Sequence, residues 1–80
     1  MSSTPPSNRV VINWGQVGRR IRELRGFDQK QSELAAAVGV GQSYISAIEK
    51  GKSEVGAELL LNIARHYGKT VEWLLMGSGE

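Results

Sequence analysis

The spacing of apolar residues along the chain predicts an all-α fold. From residue 13 onward, apolar side chains recur every three or four positions, which is the period of a helix with one buried face. The short run Val10, Val11 and Ile12 could form a strand, but it would have no partner, so we expect it to pack onto the first helix. The predicted helices cover residues 14–25, 29–38, 42–50, 57–67 and 71–76. The pattern therefore predicts a compact bundle of four or five helices.

Capping residues set the boundaries of these helices. Asn13, Asp28 and Thr70 carry side-chain oxygens that can accept a hydrogen bond from the first turn of a helix. The Asp28 cap places the start of the second helix near Gln29. Glycine, which ends many helices because it adopts a left-handed conformation, follows four of the predicted helices, at positions 26, 39, 51 and 68.

The same periodicity predicts which side chains form the core. We expect the inward faces of the five helices to meet in one apolar cluster. Its predicted members on the first four helices are Trp14, Val17, Ile21, Leu24, Leu34, Ala35, Val38, Ile45, Ile48, Leu60, Leu61, Ile63, Ala64 and Tyr67.

The ends of the chain differ in composition from its centre. Residues 1–8 are rich in Ser and Pro and lack apolar periodicity, as disordered segments do. We therefore assign residues 1–12 to a disordered N-terminal tail, residues 13–77 to a single folded domain and residues 78–80 to a flexible end.

Length and composition exclude several classes of protein. Eighty residues form one domain, and such a domain buries only about 60% of its unfolded surface, which leaves little room for a deep catalytic site. The chain has no cysteine and a single histidine, His66, so we expect neither a metal nor a cofactor. No apolar run approaches the ~20 residues of a membrane span. No nucleophile–base pair or phosphate-binding glycine loop is present, and we expect a cytoplasmic protein that is not an enzyme.

Positive charge is concentrated near the start of the chain. The net charge is +2 and the isoelectric point is near 9.3. The first 25 residues contain five arginines and one acidic residue, Glu23, whereas the rest of the chain is slightly acidic. Two interpretations remain open: a solvated arginine face on the first helix, or a surface that attracts a polyanion.

The residues between the second and third helices predict a specific crossing. Two helices that meet at about 90–120° around a short turn often have a glycine in that turn. Here the small side chain of Ala35 permits close approach, and Gly39 supplies the turn. Val40, Ile45 and Ile48 are the apolar residues that hold the pair together. Each residue alone fits an ordinary corner of two helices, but their order and spacing favour a DNA-binding helix-turn-helix at residues 31–51.

Five sequence motifs extend this interpretation to a family. They are R-x-R-E-L-R (residues 20–25), Q-x-x-L-A-x-x-x-G-V (31–40), Q-S-Y-I-S-x-I-E-x-G (42–51), L-L-x-I-A (60–64) and G-x-T-V-E-W-L-L-x-G (68–77). With these motifs the chain resembles, over about residues 13–77, the lambdoid phage repressor and Cro type of helix-turn-helix domain, also called XRE-type.

The resemblance implies roles for the third helix. Gln42 matches the first position of the helix that reads bases, Ser43 and Ala47 match other positions that face the major groove, and Ser46 lies on the same arc. Glutamine can form two hydrogen bonds with adenine, and such a pair contributes ~1–3 kcal/mol of discrimination. The implied partner is double-stranded DNA.

Contacts to the DNA backbone are expected at the helix ends. Gln31 matches a position that binds a phosphate in related proteins, but the segment before it is one residue shorter than usual and Lys30 occupies the usual cap position. Lys30 could therefore replace Gln31. Lys50 and Lys52 flank Gly51 and are either further phosphate contacts or ordinary surface lysines.

The family also implies an ion pair and a dimer. The match assigns Glu49 to a structural salt bridge with Arg25 rather than to chemistry. Trp73, Leu74 and Leu75 belong to the core or contribute to a homodimer, which would allow two half-sites to be bound at once. The predicted function is a repressor of a palindromic operator. The alternative is an antitoxin or another protein-interaction module, whose partner would be a toxin or a regulator.

Overall fold

The computed structural model describes residues 9–78, and five α-helices make up its regular structure. They are α1 (Trp14–Arg25), α2 (Gln31–Val38), α3 (Gln42–Glu49), α4 (Ala57–Tyr67) and α5 (Val71–Met76). No residue in the range 9–78 forms a strand, so the all-α prediction is confirmed for that range. Residues 1–8 of the tail predicted at 1–12, and residues 79–80 of the predicted flexible end, lie outside that range.

Two of the three predicted N-caps are present. The Asn13 side chain accepts a hydrogen bond from the backbone N–H of Gln16 at 3.1 Å, and the Thr70 hydroxyl accepts one from Trp73 at 2.9 Å. Both bonds satisfy first-turn donors that the helix itself leaves unpaired. They fix the starts of α1 and α5 where the sequence placed them.

The predicted start of α2 was wrong. The helix begins at Gln31, two residues later than expected, and Lys30 rather than Asp28 is the N-cap. The Lys30 backbone N–H donates to the Glu33 carboxylate at 2.7 Å. The guanidinium of Arg25 binds the carbonyl oxygen of Gln29 at 2.8 Å and so holds that residue outside the helix. Lys30 and Glu33 therefore mark this boundary, and Arg25 binds the residue just before it.

The five helices enclose one apolar core. Val17 and Ile21 of α1, Ile45 of α3 and Leu74 of α5 have no exposed surface. Several residues that were predicted to be buried, such as Trp14, lie at the edge of the core and are partly exposed. Within residues 9–78, the buried apolar side chains of this core are Val17, Ile21, Leu34, Ala35, Ile45, Ile48, Val55, Leu59, Leu60, Ile63, Ala64 and Leu74.

The apolar pattern misassigned a few side chains. Leu61, which we expected in the core, is 42% exposed, and Leu59 is buried instead. Three consecutive leucines cannot all face one side of a helix, because successive residues are about 100° apart around the helix axis. Val10 and Val11 are also exposed, and of that run only Ile12 packs against the core.

Helices α1 and α3 approach each other closely at Gly18. A Cβ atom at this position would lie 2.0 Å from the carbonyl oxygen of Ile48 and 3.1 Å from the backbone of Glu49. Since no side chain fits in that space, only glycine allows α1 to pack directly on the last turn of α3. The apolar spacing of α1 gives no sign of this role for Gly18.

The predicted ion pair between Arg25 and Glu49 closes the same helix contact. The Arg25 Nε and Nη2 atoms donate to the two carboxylate oxygens of Glu49, at 2.7 and 2.9 Å. The side chains are 14% and 3% exposed, respectively. Such two-point contacts between guanidinium and carboxylate are among the stronger hydrogen bonds in proteins.

Opposing effects act on the pKa of Glu49. Desolvation by burial raises it, whereas hydrogen bonds from Arg25 and Gln31 and the charges of Arg25 and Arg22 lower it. The lowering effects prevail, so the pKa of Glu49 lies below its ordinary value of 4.5. The carboxylate is therefore ionised at neutral pH.

The close approach at Gly18 can be tested by adding one methyl group. Gly18→Ala should lower the free energy of unfolding by ~1–3 kcal/mol, since overpacking of this kind outweighs the ~1 kcal/mol that alanine gains in a helix interior. Gly15→Ala in the same helix is the matched control, because its Cβ would meet only the Asn13 side chain, at 3.3 Å. Urea denaturation of both variants measures the difference. If Gly18→Ala and Gly15→Ala were equally stable, the close approach of α1 and α3 at Gly18 would be contradicted.

The ion pair predicts how stability changes with pH. A carboxyl group whose pKa is lower in the folded state stabilises the fold above its unfolded pKa and loses that effect as pH falls through the folded pKa. Glu49→Ala should cost up to ~3–5 kcal/mol at pH 7. Glu49→Gln should also destabilise the protein at pH 7. Its difference in stability from the wild type should become smaller as pH falls below 4.5, because the wild type then loses the effect of the ionised carboxylate.

Thermal unfolding from pH 7 to pH 3 measures that difference. Glu23→Gln, which removes the same charge from an exposed side chain of α1, is the control for the loss of one negative charge. If the difference in stability between Glu49→Gln and the wild type stayed constant down to pH 3, the lowered pKa of Glu49 would not be coupled to folding.

Candidate nucleic-acid interface

The turn between α2 and α3 contains the glycine that the sequence predicted. Gly39 adopts a left-handed conformation, with φ 80° and ψ 32°, which side chains with a Cβ disfavour. Its N–H and that of Val40 both bind the carbonyl oxygen of Ala35 at 2.9 Å. Ala35 itself is buried. Three residues, 39–41, therefore connect α2 to α3, which starts at Gln42.

The outer face of α3 carries the four residues predicted to read bases. Gln42 and Ser43 are exposed, and Ser46 and Ala47 are half-buried on the side opposite the core. The inward residues Ile45 and Ile48 are buried. Gly41 precedes the helix and offers no side-chain cap, as its lack of a side chain requires.

The side chain of Gln31 takes part in a contact that sequence reasoning missed. Its Nε2 atom donates to the Glu49 Oε1 atom at 2.9 Å, and this bond is one of those that lower the pKa of the carboxylate. One of the two amide N–H groups of Gln31 is thereby used inside the protein, and the second remains for another acceptor. No local sequence pattern signals this bond, since 18 residues separate the partners.

The segment before α2 is held by side chains from α1 and α4. Arg25 binds the Gln29 carbonyl oxygen, and the Tyr67 hydroxyl donates to the Gln29 side chain. Burial raises the pKa of Tyr67, and the charges of Arg25 and Glu49 act on it in opposite directions. The phenol thus stays protonated as a donor, and the entrance to α2 is positioned by two neighbouring helices.

The three lysines predicted to bind DNA phosphates lie at the start of α2 and after the end of α3. Lys30 and Lys50 are exposed, at the start of α2 and directly after α3. Lys52 is exposed just beyond Gly51. Lys50 lines a shallow depression together with Gln31, Glu49 and Arg22. The structure therefore groups Lys50 with the start of α2.

The three residues proposed for a dimer separate into two classes. Leu74 is completely buried within the monomer, so it belongs to the core and cannot contact a second subunit without unfolding. Trp73 and Leu75 are partly exposed. Sequence reasoning could not separate them, because all three are apolar and adjacent in a short helix.

The described residues offer no other type of site. Within residues 9–78, no group of three or more histidine, cysteine or acidic side chains is arranged to hold a metal ion. None of the helices in that range combines the length and apolar character of a membrane span.

Comparison with known proteins identifies relatives of known or inferred role. An uncharacterized HTH-type transcriptional regulator of Archaeoglobus fulgidus is 41% identical over 54 residues, covering 66% of this chain and 76% of the relative. The P22 c2 repressor, solved in complex with a synthetic operator, is 32% identical with a TM-score of 0.73 over 78% of this chain and 96% of that chain.

Structures that contain SinR match as well. SinR, described as the master regulator for biofilm formation, in complex with DNA is 30% identical with a TM-score of 0.66, over 72% of this chain and 95% of that chain. A SinR–SinI protein complex is 31% identical with a TM-score of 0.69, over 75% and 60% of the two chains.

A family model also matches most of the folded region. The model described as Helix-turn-helix matches residues 19–74, a range that contains the whole of α2, α3 and α4. Together with the five-helix architecture and the likeness to the P22 c2 repressor, this match shows that the chain belongs to the helix-turn-helix family of the lambdoid repressor and Cro, or XRE, type.

Proposed function

We propose that this protein is a transcriptional repressor that binds a palindromic operator as a homodimer, with α3 in the major groove. The observation that carries the proposal is the outer face of α3. This face presents Gln42 and Ser43 to solvent, while Ile45 and Ile48 anchor the helix in the core. A helix of this kind fits the major groove of B-DNA. The structure of the P22 c2 repressor with an operator supports the assignment by likeness.

The base-reading residues differ in what they can recognise. Gln42 can donate to and accept from adenine, Ser43 and Ser46 can bind several bases, and Ala47 can contact only a thymine methyl group. Gln42 is therefore the residue most able to discriminate between bases. Gln42 is the first residue of α3. In this motif the N-terminal residues of the second helix contact the base edges.

Contacts with the DNA backbone would come from residues around α3. Lys50 and Lys52 follow its C-terminus, and Lys30 and Gln31 lie at the start of α2. The side chain of Gln31 can offer a phosphate only the N–H that Glu49 does not use. Such contacts set the register of the protein on DNA without reading its sequence.

A homodimer would place two copies of α3 on successive turns of the duplex. The partly exposed residues Trp73 and Leu75 of α5 are the candidates for this interface, next to Met76, which is 47% exposed. Two subunits related by a twofold axis read two half-sites about one helical turn apart. The operator should then be palindromic.

A second candidate function is a protein-interaction module, such as an antitoxin or a partner-regulated repressor. The completely exposed aromatic side chain of Phe27 favours it, because large apolar side chains in solvent are common at protein contacts. The likeness to SinR in its complex with SinI points in the same direction.

Selection from random duplex DNA tests the main proposal. The purified full chain should enrich a consensus sequence with twofold symmetry, which would identify both sequence-specific binding and the dimer. A consensus without twofold symmetry would contradict the homodimer but not sequence-specific DNA binding. The absence of any enrichment would contradict DNA reading and favour the interaction module.

Two alanine variants separate base reading from backbone binding. Gln42→Ala should weaken binding to the selected site by ~1–3 kcal/mol and leave binding to unrelated duplex nearly unchanged. Lys50→Ala should weaken both alike and reduce the dependence of log K on log salt by about one unit. Titrations at several salt concentrations measure both effects. If the two variants lose equal affinity on both duplexes, the base-reading role of Gln42 is wrong.

A further inference from the structure

Two adjacent depressions form a groove between α1 and α3. Both are lined by Arg22, Glu49 and Lys50. One extends to Arg25 and Gln31, and the other extends along α1 to Arg19. We call this continuous surface the α1–α3 groove. It lies beside the C-terminal end of the proposed recognition helix.

The four arginines of α1 have different structural roles. Arg20 binds the carbonyl oxygen of Leu74 at 2.9 Å and so links α1 to α5. Arg25 forms the ion pair with Glu49. Arg19 and Arg22 are exposed and form no ion pair with any residue in the range 9–78. Both of them line the α1–α3 groove. The fold therefore uses Arg20 and Arg25 in direct contacts, whereas Arg19 and Arg22 face this surface, where the charge of Arg22 also helps to lower the pKa of Glu49.

The groove has an excess of positive charge. Its acidic residue, Glu49, is matched by Arg25 through both carboxylate oxygens. The charges of Arg19, Arg22 and Lys50 remain. Another acid, Glu23, lines a neighbouring depression with Arg19 and Arg22, on the side of Phe27. Arg22 and Lys50, which line both parts of the groove, are thus its central cations.

The position of these cations fits the path of a DNA strand. Lys50 directly follows α3, and Gln31 is the first residue of α2, so the groove adjoins both helices of the motif. A helix in the major groove is flanked by the phosphates of both strands. A guanidinium can bind a phosphate through two parallel hydrogen bonds, whereas a lysine acts as a point charge.

We propose that the α1–α3 groove binds a phosphate of the DNA backbone between Arg22 and Lys50, with Arg19 as a further contact along the same strand. This inference rests on the proposed DNA-binding function and extends the interface from the helix-turn-helix to α1. It also resolves the two interpretations of the N-terminal arginines. Arg20 and Arg25 stabilise the fold, and Arg19 and Arg22 attract the polyanion.

Removing one charge at a time from the full chain tests the proposal. Arg22→Gln should reduce the slope of log K against log salt by ~0.9, the value for one released counterion, on both the selected duplex and an unrelated duplex. Arg65→Gln is the matched control, because Arg65 is an exposed arginine of α4 that does not line the groove. It should leave the slope unchanged. Arg22→Lys should retain the wild-type slope, since the charge is kept.

The outcomes separate this inference from the proposed function. If wild-type protein enriches a duplex sequence but Arg22→Gln retains its slope, the groove proposal is wrong and DNA reading stands. If Arg65→Gln lowers the slope as much as Arg22→Gln does, the effect is one of net charge and the groove proposal is again wrong. If the wild-type protein enriches no duplex sequence, both proposals fail. An unfolding temperature of Arg22→Gln close to that of the wild type would show that the variant keeps its fold.

Discussion

Helix α1 packs against the last turn of α3 at backbone distance, and that contact determines where the outer face of α3 points. Gly18 permits the approach, because a Cβ atom there would overlap the carbonyl oxygen of Ile48. Arg25 closes the same contact with two hydrogen bonds to Glu49, and Gln31 adds a third from the start of α2. One buried carboxylate thus joins three helices. A buried charge with fewer partners would oppose folding, so its satisfied hydrogen bonds are needed for the arrangement to be stable.

The sequence predicted those parts of the fold that local patterns determine. The bounds of α1, α4 and α5 followed from apolar spacing and from the caps at Asn13 and Thr70, since each signal lies within a few residues of the boundary that it sets. The start of α2 was misplaced because its N-cap, Lys30, lacks the side-chain oxygen of a typical cap. The Lys30 N–H binds Glu33 instead, and Arg25 binds Gln29 outside the helix. The exposure of Leu61 depended on which face of α4 meets the core.

The same distinction applies to the candidate site. The residues of α3 could be assigned because the spacing of Ile45 and Ile48 determines which side of the helix faces outward. The pairing of Arg25 with Glu49 came from family resemblance, whereas the bond from Gln31 to Glu49 and the role of Gly18 came only from the structure. Both depend on how the helices pack, which a single sequence does not specify. The arginines of α1 are the clearest example, since they look equivalent in sequence and differ in partners.

The small side chains on α3 have a consequence for how the proposed regulator would find its target in a genome. One glutamine, two serines and one alanine leave few bases per half-site that can be distinguished strongly. A genome offers ~10⁶–10⁹ competing sites, and each mismatched base pair costs only ~1–3 kcal/mol. Occupancy of the correct operator would then depend on two weakly selective half-sites acting together and on the deformability of the base pairs between them. Such a regulator would respond steeply to its own cellular concentration, because only the paired form would be selective.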